Sequence, residues 1–227
     1  MLFTCVLGIL LGMRHALEPD HLAAVSTLSM ERPSPRSGLL LGASWGLGHS
    51  LALVAVGGVL VGLHMHLPSQ FEQAFECAVA LMIVALGFRA VFQAARSSRQ
   101  GAIALHRHGQ VVHAHRCQER HIHLRRWTFA SRPLLIGLVH GLAGSGALTA
   151  LVFANLPTTA SRVGYIFLFS MGSMIGMAAL SGLAGVPLYR WGRNPKTASR
   201  LLFAAGLGSI LVGAFWGIQS TQKLLFG

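Results

Sequence analysis

The sequence predicts an all-α membrane protein of about six transmembrane helices, arranged as an inverted three-plus-three repeat with helices one and four broken. Three observations carry that expectation. Of 227 residues, 53% are hydrophobic and only 11% charged, far from the balance of a soluble domain. Six apolar stretches, near residues 2–29, 39–63, 71–95, 133–154, 163–189 and 201–218, are separated by polar breaks, and a helix needs about 20 apolar residues to cross a hydrocarbon core of about 30 Å. Finally, Gly12, His15 and Leu17 recur 125 positions later as Gly137, His140 and Leu142.

The first stretch starts at Met1 without a basic leader, and no small-residue cleavage site precedes the polar cluster at Arg14, so it is expected to remain as a crossing. The repeat then divides the chain into residues 1–95, a loop over 96–131, and residues 132–227. Three crossings per unit is an odd number, which places the two units in opposite orientations. Cys5, Cys77 and Cys117 are odd in number and show no paired spacing, so no disulfide framework is expected.

The formal charge of +12 raises nucleic-acid binding, but its distribution points to membrane topology. Loops one, three and five and their flanks carry fourteen Lys and Arg, against Arg162 and Lys223 on the other side. The positive-inside rule therefore predicts both termini outside a bacterial-type inner membrane and the loop over 96–131 in the cytoplasm. That loop has few aromatics among its basic residues, so no nucleic-acid partner is expected. No phosphate-binding glycine loop is present either, so the chain is not expected to hydrolyse ATP.

Both halves interrupt their first helix. Pro19 removes a backbone donor and biases Glu18 away from helical dihedrals. In the second half Gly141, Gly144 and Gly146 surround Ser145, and glycine weakens a helix. Irregular backbone at membrane depth is tolerated only where it is buried in protein or lines a polar cavity, so these breaks point to a substrate site.

The chemistry at the first break is specific. Arg14, His15, Glu18, Asp20 and His21 fall within eight residues, where each ionisable group costs about 3 kcal/mol or more at the bilayer centre. A break at Pro19 lets His15, Glu18, Asp20 and His21 converge. Imidazole nitrogen with one or two carboxylates suits nickel, cobalt or zinc better than magnesium or calcium. The alternative is a polar cap at the cytoplasmic interface. His49 in the second crossing and His140 in the fourth are further metal candidates or, alternatively, core histidines bonded to carbonyls. Ser145 joins them as the polar residue of the second break. His64 and His66 are either ion gatherers at the outer mouth or part of a wet loop.

The segment "RHALEPDH" resembles the signature of the NiCoT nickel and cobalt permeases, in which a histidine is followed after four residues by Asp-His, here His15, Asp20 and His21. Their Leu-Gly-His-Ser element is matched by Leu47, Gly48, His49 and Ser50. Glu18 and Pro19 stand where that family usually has Asp-Ala, and "GLVHGLAGSGAL" replaces its acidic motifs, looking more like the shorter UreH-type six-helix permeases associated with urease maturation. The resemblance implies a permease for Ni2+ or Co2+ as transported substrate, with no permanent cofactor and no catalytic residues. Uptake is the expected direction and efflux the alternative.

Within the loop, His106, His108, His113, His115, Cys117, His121 and His123 form pairs of imidazoles with a thiol. Such a segment suits weak buffering of borderline metals; the alternative is a basic loop whose histidines are idle. Expected partners are membrane lipid and a transition-metal ion, with a cytoplasmic metallochaperone or an oligomer further candidates. From other classes, a rhomboid-like intramembrane serine protease built on Ser145 lacks a histidine after His140, and a haem protein with two histidine ligands leaves Glu18 and Asp20 unexplained.

Overall fold

The computed structural model describes residues 2–29, 35–99, 105–108, 111–114, 128–191 and 194–226. In chain order these form α1 (Leu2–His15), α2 (Pro19–Ser29), α3 (Pro35–Gly62), α4 (Ser69–Arg99), β1 (Leu105–His108), β2 (Val111–Ala114), α5 (Thr128–Asn155), α6 (Thr159–Trp191) and α7 (Pro195–Phe226). Among the described residues five helices are long and apolar enough to cross a membrane, and α1 is a shorter apolar one. The strands make one antiparallel hairpin within the basic loop, with His106 opposite His113.

Polarity is distributed as lipid requires. Leu81, Leu183, Phe215 and Leu225 are about two-thirds exposed or more, whereas Asp20, His21, His49, His140 and nine serine and threonine side chains are buried. The outside is apolar and the polar groups lie within, the reverse of a soluble fold. Together with the helix lengths, this makes the protein a multi-pass membrane protein.

The two halves pack by equivalent contacts. Helix α1 lies on α6 as α5 lies on α3, α3 pairs with α6, and α4 pairs with α7. The match extends to single residues. A Cβ on Gly12 would overlap the Phe169 carbonyl and come within 2.8 Å of Ser173 N, while one on Gly137 would overlap the Trp45 carbonyl and come within 2.9 Å of His49 N. Gly172 and Gly48 likewise abut the carbonyls of Ile9 and Leu134. Small residues let helix backbones touch where no hydrophobic effect drives association, so these glycines set the helix spacing.

The break in the first half forms as expected. Leu17 N and Glu18 N bond to Arg14 and His15 carbonyls, tightening the last turn of α1, and the Leu22 N bond to the Glu18 carbonyl starts α2. Pro19, lacking an N–H, sits at the first position of α2, where the missing donor costs nothing. The expected break in the second half does not occur, because α5 runs unbroken through Gly141, Gly144 and Gly146. Glycine keeps its N–H and continues the ladder, and here it serves close packing: a Cβ on Gly141 would meet the His49 carbonyl, and one on Gly146 the Glu72 carboxyl. Outside the break, His64 takes a left-handed conformation (φ 55°) that ends α3, with Met65 N bonded back to the Leu60 carbonyl.

Candidate metal centre

The end of α1 and the start of α2 point side chains at one place, which α3 and α5 complete. From α1, His15 offers Nε2 at 3.2 Å from His49 Nε2 on α3. From α2, Asp20 bridges two histidines: its Oδ1 lies 3.0 Å from His21 Nδ1 and its Oδ2 2.6 Å from His140 Nε2 on α5. The rings crowd together, His21 lying 4.5 Å from His15, 5.2 Å from His49 and 4.3 Å from His140 between centroids. Ligand atoms of His15, His21 and His49 all lie within 4.8 Å of one another, and so do those of Asp20, His21 and His140.

The break makes this convergence. On an unbroken helix Asp20 and His21, five and six positions from His15, would face elsewhere. Starting a new helix at Pro19 turns them back toward His15. It also puts Asp20 in the first turn of α2, where the positive end of the helix favours a carboxylate.

Glu18 plays a different part from Asp20. Its Oε1 lies 3.0 Å from His15 Nδ1, while its side chain is 48% exposed and that of His15 14% exposed. A carboxylate on one ring nitrogen fixes the tautomer and leaves the other nitrogen free to ligate, so Glu18 orients His15. Asp20 does the same for His21, whose Nε2 is buried without a hydrogen-bond partner, as are His49 Nδ1 and His140 Nδ1. Buried nitrogens left unpaired are costly, and a cation coordinated by His21 Nε2 would remove that atom's share of the penalty.

Two aromatic residues that the sequence reading passed over wall the cluster. The Trp45 ring lies 5.4 Å from His21 and 5.7 Å from His140, and Phe169 lies 5.4 Å from His15. Trp45 was legible, because it precedes His49 by four residues and so shares its helix face. Phe169 comes from the other half with no sequence signal.

Ser145, expected at the shared site, is buried, but its hydroxyl donates to the Leu142 carbonyl of its own helix at 2.7 Å. The neighbour of His15 on α5 is instead Gly144. With Ser145 bonded within its helix and His140 on Asp20, Ser145 has no histidine partner among the described residues, and the closely packed histidine rings of the cluster leave no room for a macrocycle between them. Of the loop candidates, His106, His108 and His113 lie on the hairpin, while His115, Cys117, His121 and His123 lie outside the described residues.

The urease accessory protein UreH of Bacillus sp. (strain TB-90) is 26% identical over 213 residues, covering 94% of this chain and 90% of that protein. No solved structure matches the chain. A family model described as high-affinity nickel-transport protein matches residues 1–215, which span both halves and every residue of the buried cluster. The chain therefore belongs to the NicO family of high-affinity nickel-transport proteins, as a membrane transporter rather than an enzyme.

Proposed function

We propose that the protein is a permease for the uptake of Ni2+, with Co2+ a second cargo, and that His15, Asp20, His21, His49 and His140 carry the ion across the middle of the membrane while Glu18 holds His15. The observation that carries the proposal is the meeting of four histidines and one aspartate, drawn from both halves, at a helix break packed among the long apolar helices. Nitrogen donors with a single carboxylate favour late first-row divalent ions over Mg2+ and Ca2+. The family and the UreH relative support nickel as the cargo.

Direction and orientation follow from electrostatics. The basic loops set the cytoplasmic side of a bacterial inner membrane, and a membrane potential negative inside favours inward movement of a divalent cation by about 4.6 kcal/mol per 100 mV. The histidine-rich loop then lies where the ion is delivered, and buffers it there or passes it to a metallochaperone. Efflux is the second reading, favoured by that same loop, since weak imidazole sites on the cytoplasmic face also collect ions for export.

The test is accumulation of 63Ni2+ by cells expressing the chain, with Co2+, Zn2+ and Mn2+ as competitors. The expected outcome is accumulation above empty-vector cells, suppressed by Co2+ more than by Mn2+. Faster loss of preloaded nickel would establish efflux instead, and no change in either direction would overturn nickel transport.

A further inference from the structure

We propose that the buried cluster is two adjacent ion stations sharing His21, through which the ion passes in sequence, rather than one five-ligand site. This rests on the nickel-permease reading above and adds an order of events to it. The first station is His15, His21 and His49, all nitrogen; the second is Asp20, His21 and His140, two nitrogens and a carboxylate.

Geometry separates them. Nitrogen and oxygen ligands at about 2.0–2.1 Å in a tetrahedral shell sit only about 3.3 Å from one another. The 3.2 Å between His15 Nε2 and His49 Nε2 already matches such an edge. Each triad spans up to 4.8 Å and needs small side-chain shifts to close on an ion. Among the described residues no group of ligand atoms within 4.8 Å of one another joins His49 to His140. With the side chains so placed an ion closes one triad at a time, and His21 is the ligand that both retain.

The stations also differ in access and readiness. His15 is the partly exposed member, and its Nδ1 is held by Glu18, so its Nε2 faces His49 without rearrangement. With His21 Nδ1 on Asp20 and its Nε2 unpartnered, the first station offers one free imidazole nitrogen beside the longer His15–His49 contact, which an arriving ion displaces. The second is closed by the 2.6 Å bond between Asp20 and His140, both buried, which ties the first half to the second. For the ion to move on, Asp20 must exchange the His140 N–H for the metal. The ordered path is thus landing on nitrogen, then transfer to a carboxylate that balances charge and releases the contact between halves.

Purified protein in lipid nanodiscs, titrated with Co2+ and followed by visible absorption, separates the two stations when paired with 63Ni2+ uptake kinetics. Size-exclusion profile and membrane abundance of each variant control for folding, and His140→Asn retains a donor toward Asp20 for that reason. His49→Ala is expected to weaken Co2+ binding and raise the uptake KM by at least about tenfold, the usual range for a lost ligand or its support. His140→Asn is expected to lower the maximal uptake rate by at least about tenfold while shifting Co2+ affinity by less than about threefold. Equal loss of Co2+ affinity in both variants would show a single shared site and overturn the proposal, as would normal uptake by His140→Asn. Absence of Co2+ and Ni2+ binding by the wild type would instead overturn the permease reading beneath it.

Discussion

Residues 2–29 and 128–155 hold equivalent places in the two halves, packed through Gly12 and Gly137 onto matching backbone of α6 and α3. One is two short helices and the other a single long one. Proline causes the difference: at residue 19 it deletes an N–H and blocks the preceding turn, whereas the glycines of α5 weaken the helix without interrupting its ladder. Ligand supply follows the break. The repeat offset of 125 places His140 at the counterpart of His15, but Ser145 and Gly146 at those of Asp20 and His21. On the packed partner helices, Ser173 touches Gly12 as His49 touches Gly137. The scaffold is symmetric and the donor set is not, so in this fold a shared backbone frame constrains the packing positions far more tightly than the positions of the proposed ion ligands.

The comparison breaks most sharply at the donors. His21→Ala is expected to reduce 63Ni2+ uptake to background at unchanged membrane abundance, because both triads lose their common member; retained uptake would remove the first half's break from the ion path. Next in size is the shared scaffold. Gly12→Val and Gly137→Val should lower the yield of folded protein alike, each inserting a side chain against backbone at a cost of about 3 kcal/mol or more. Detergent thermal-stability profiles showing one variant intact would disprove equivalence of the halves.

Pro19→Ala sharpens the contrast by giving the first half the continuity of the second. Uptake is expected to fall about tenfold, the kinetic equivalent of ~1.4 kcal/mol, with abundance maintained or raised. Unchanged uptake would show that α2 orients Asp20 and His21 without the proline. The smallest effect belongs to Ser145→Ala: its hydroxyl donates to the Leu142 carbonyl of its own helix, so loss of uptake should stay below about twofold. A loss as large as that of His21→Ala would return Ser145 to the site.

The membrane class, the six apolar segments, the break at Pro19 and the convergence of His15, Asp20 and His21 were legible because each depends on local chemistry: apolar length, a missing donor, and the cost of ionisable groups in lipid. The repeat in Gly12, His15 and Leu17 also pointed to His140, and His140 does meet Asp20. The glycine run of α5 misled because glycine has two uses, weakening a helix and admitting a neighbour, and only the neighbour decides which applies. Here the His49 carbonyl and Glu72 supplied that neighbour.

Sequence by itself thus determined that this is a polytopic helical protein with a histidine–aspartate cluster at a proline break. Only the tertiary structure decided that Glu18 lies on His15 while Asp20 spans His21 and His140, that Phe169 and Trp45 wall the cluster, and that the Ser145 hydroxyl turns to the Leu142 carbonyl of its own helix. The physical reason is reach. Apolar length and a missing N–H act within a few residues, whereas a ligand set joins side chains 120 positions apart, and which atoms meet depends on how closely glycine lets the two halves approach.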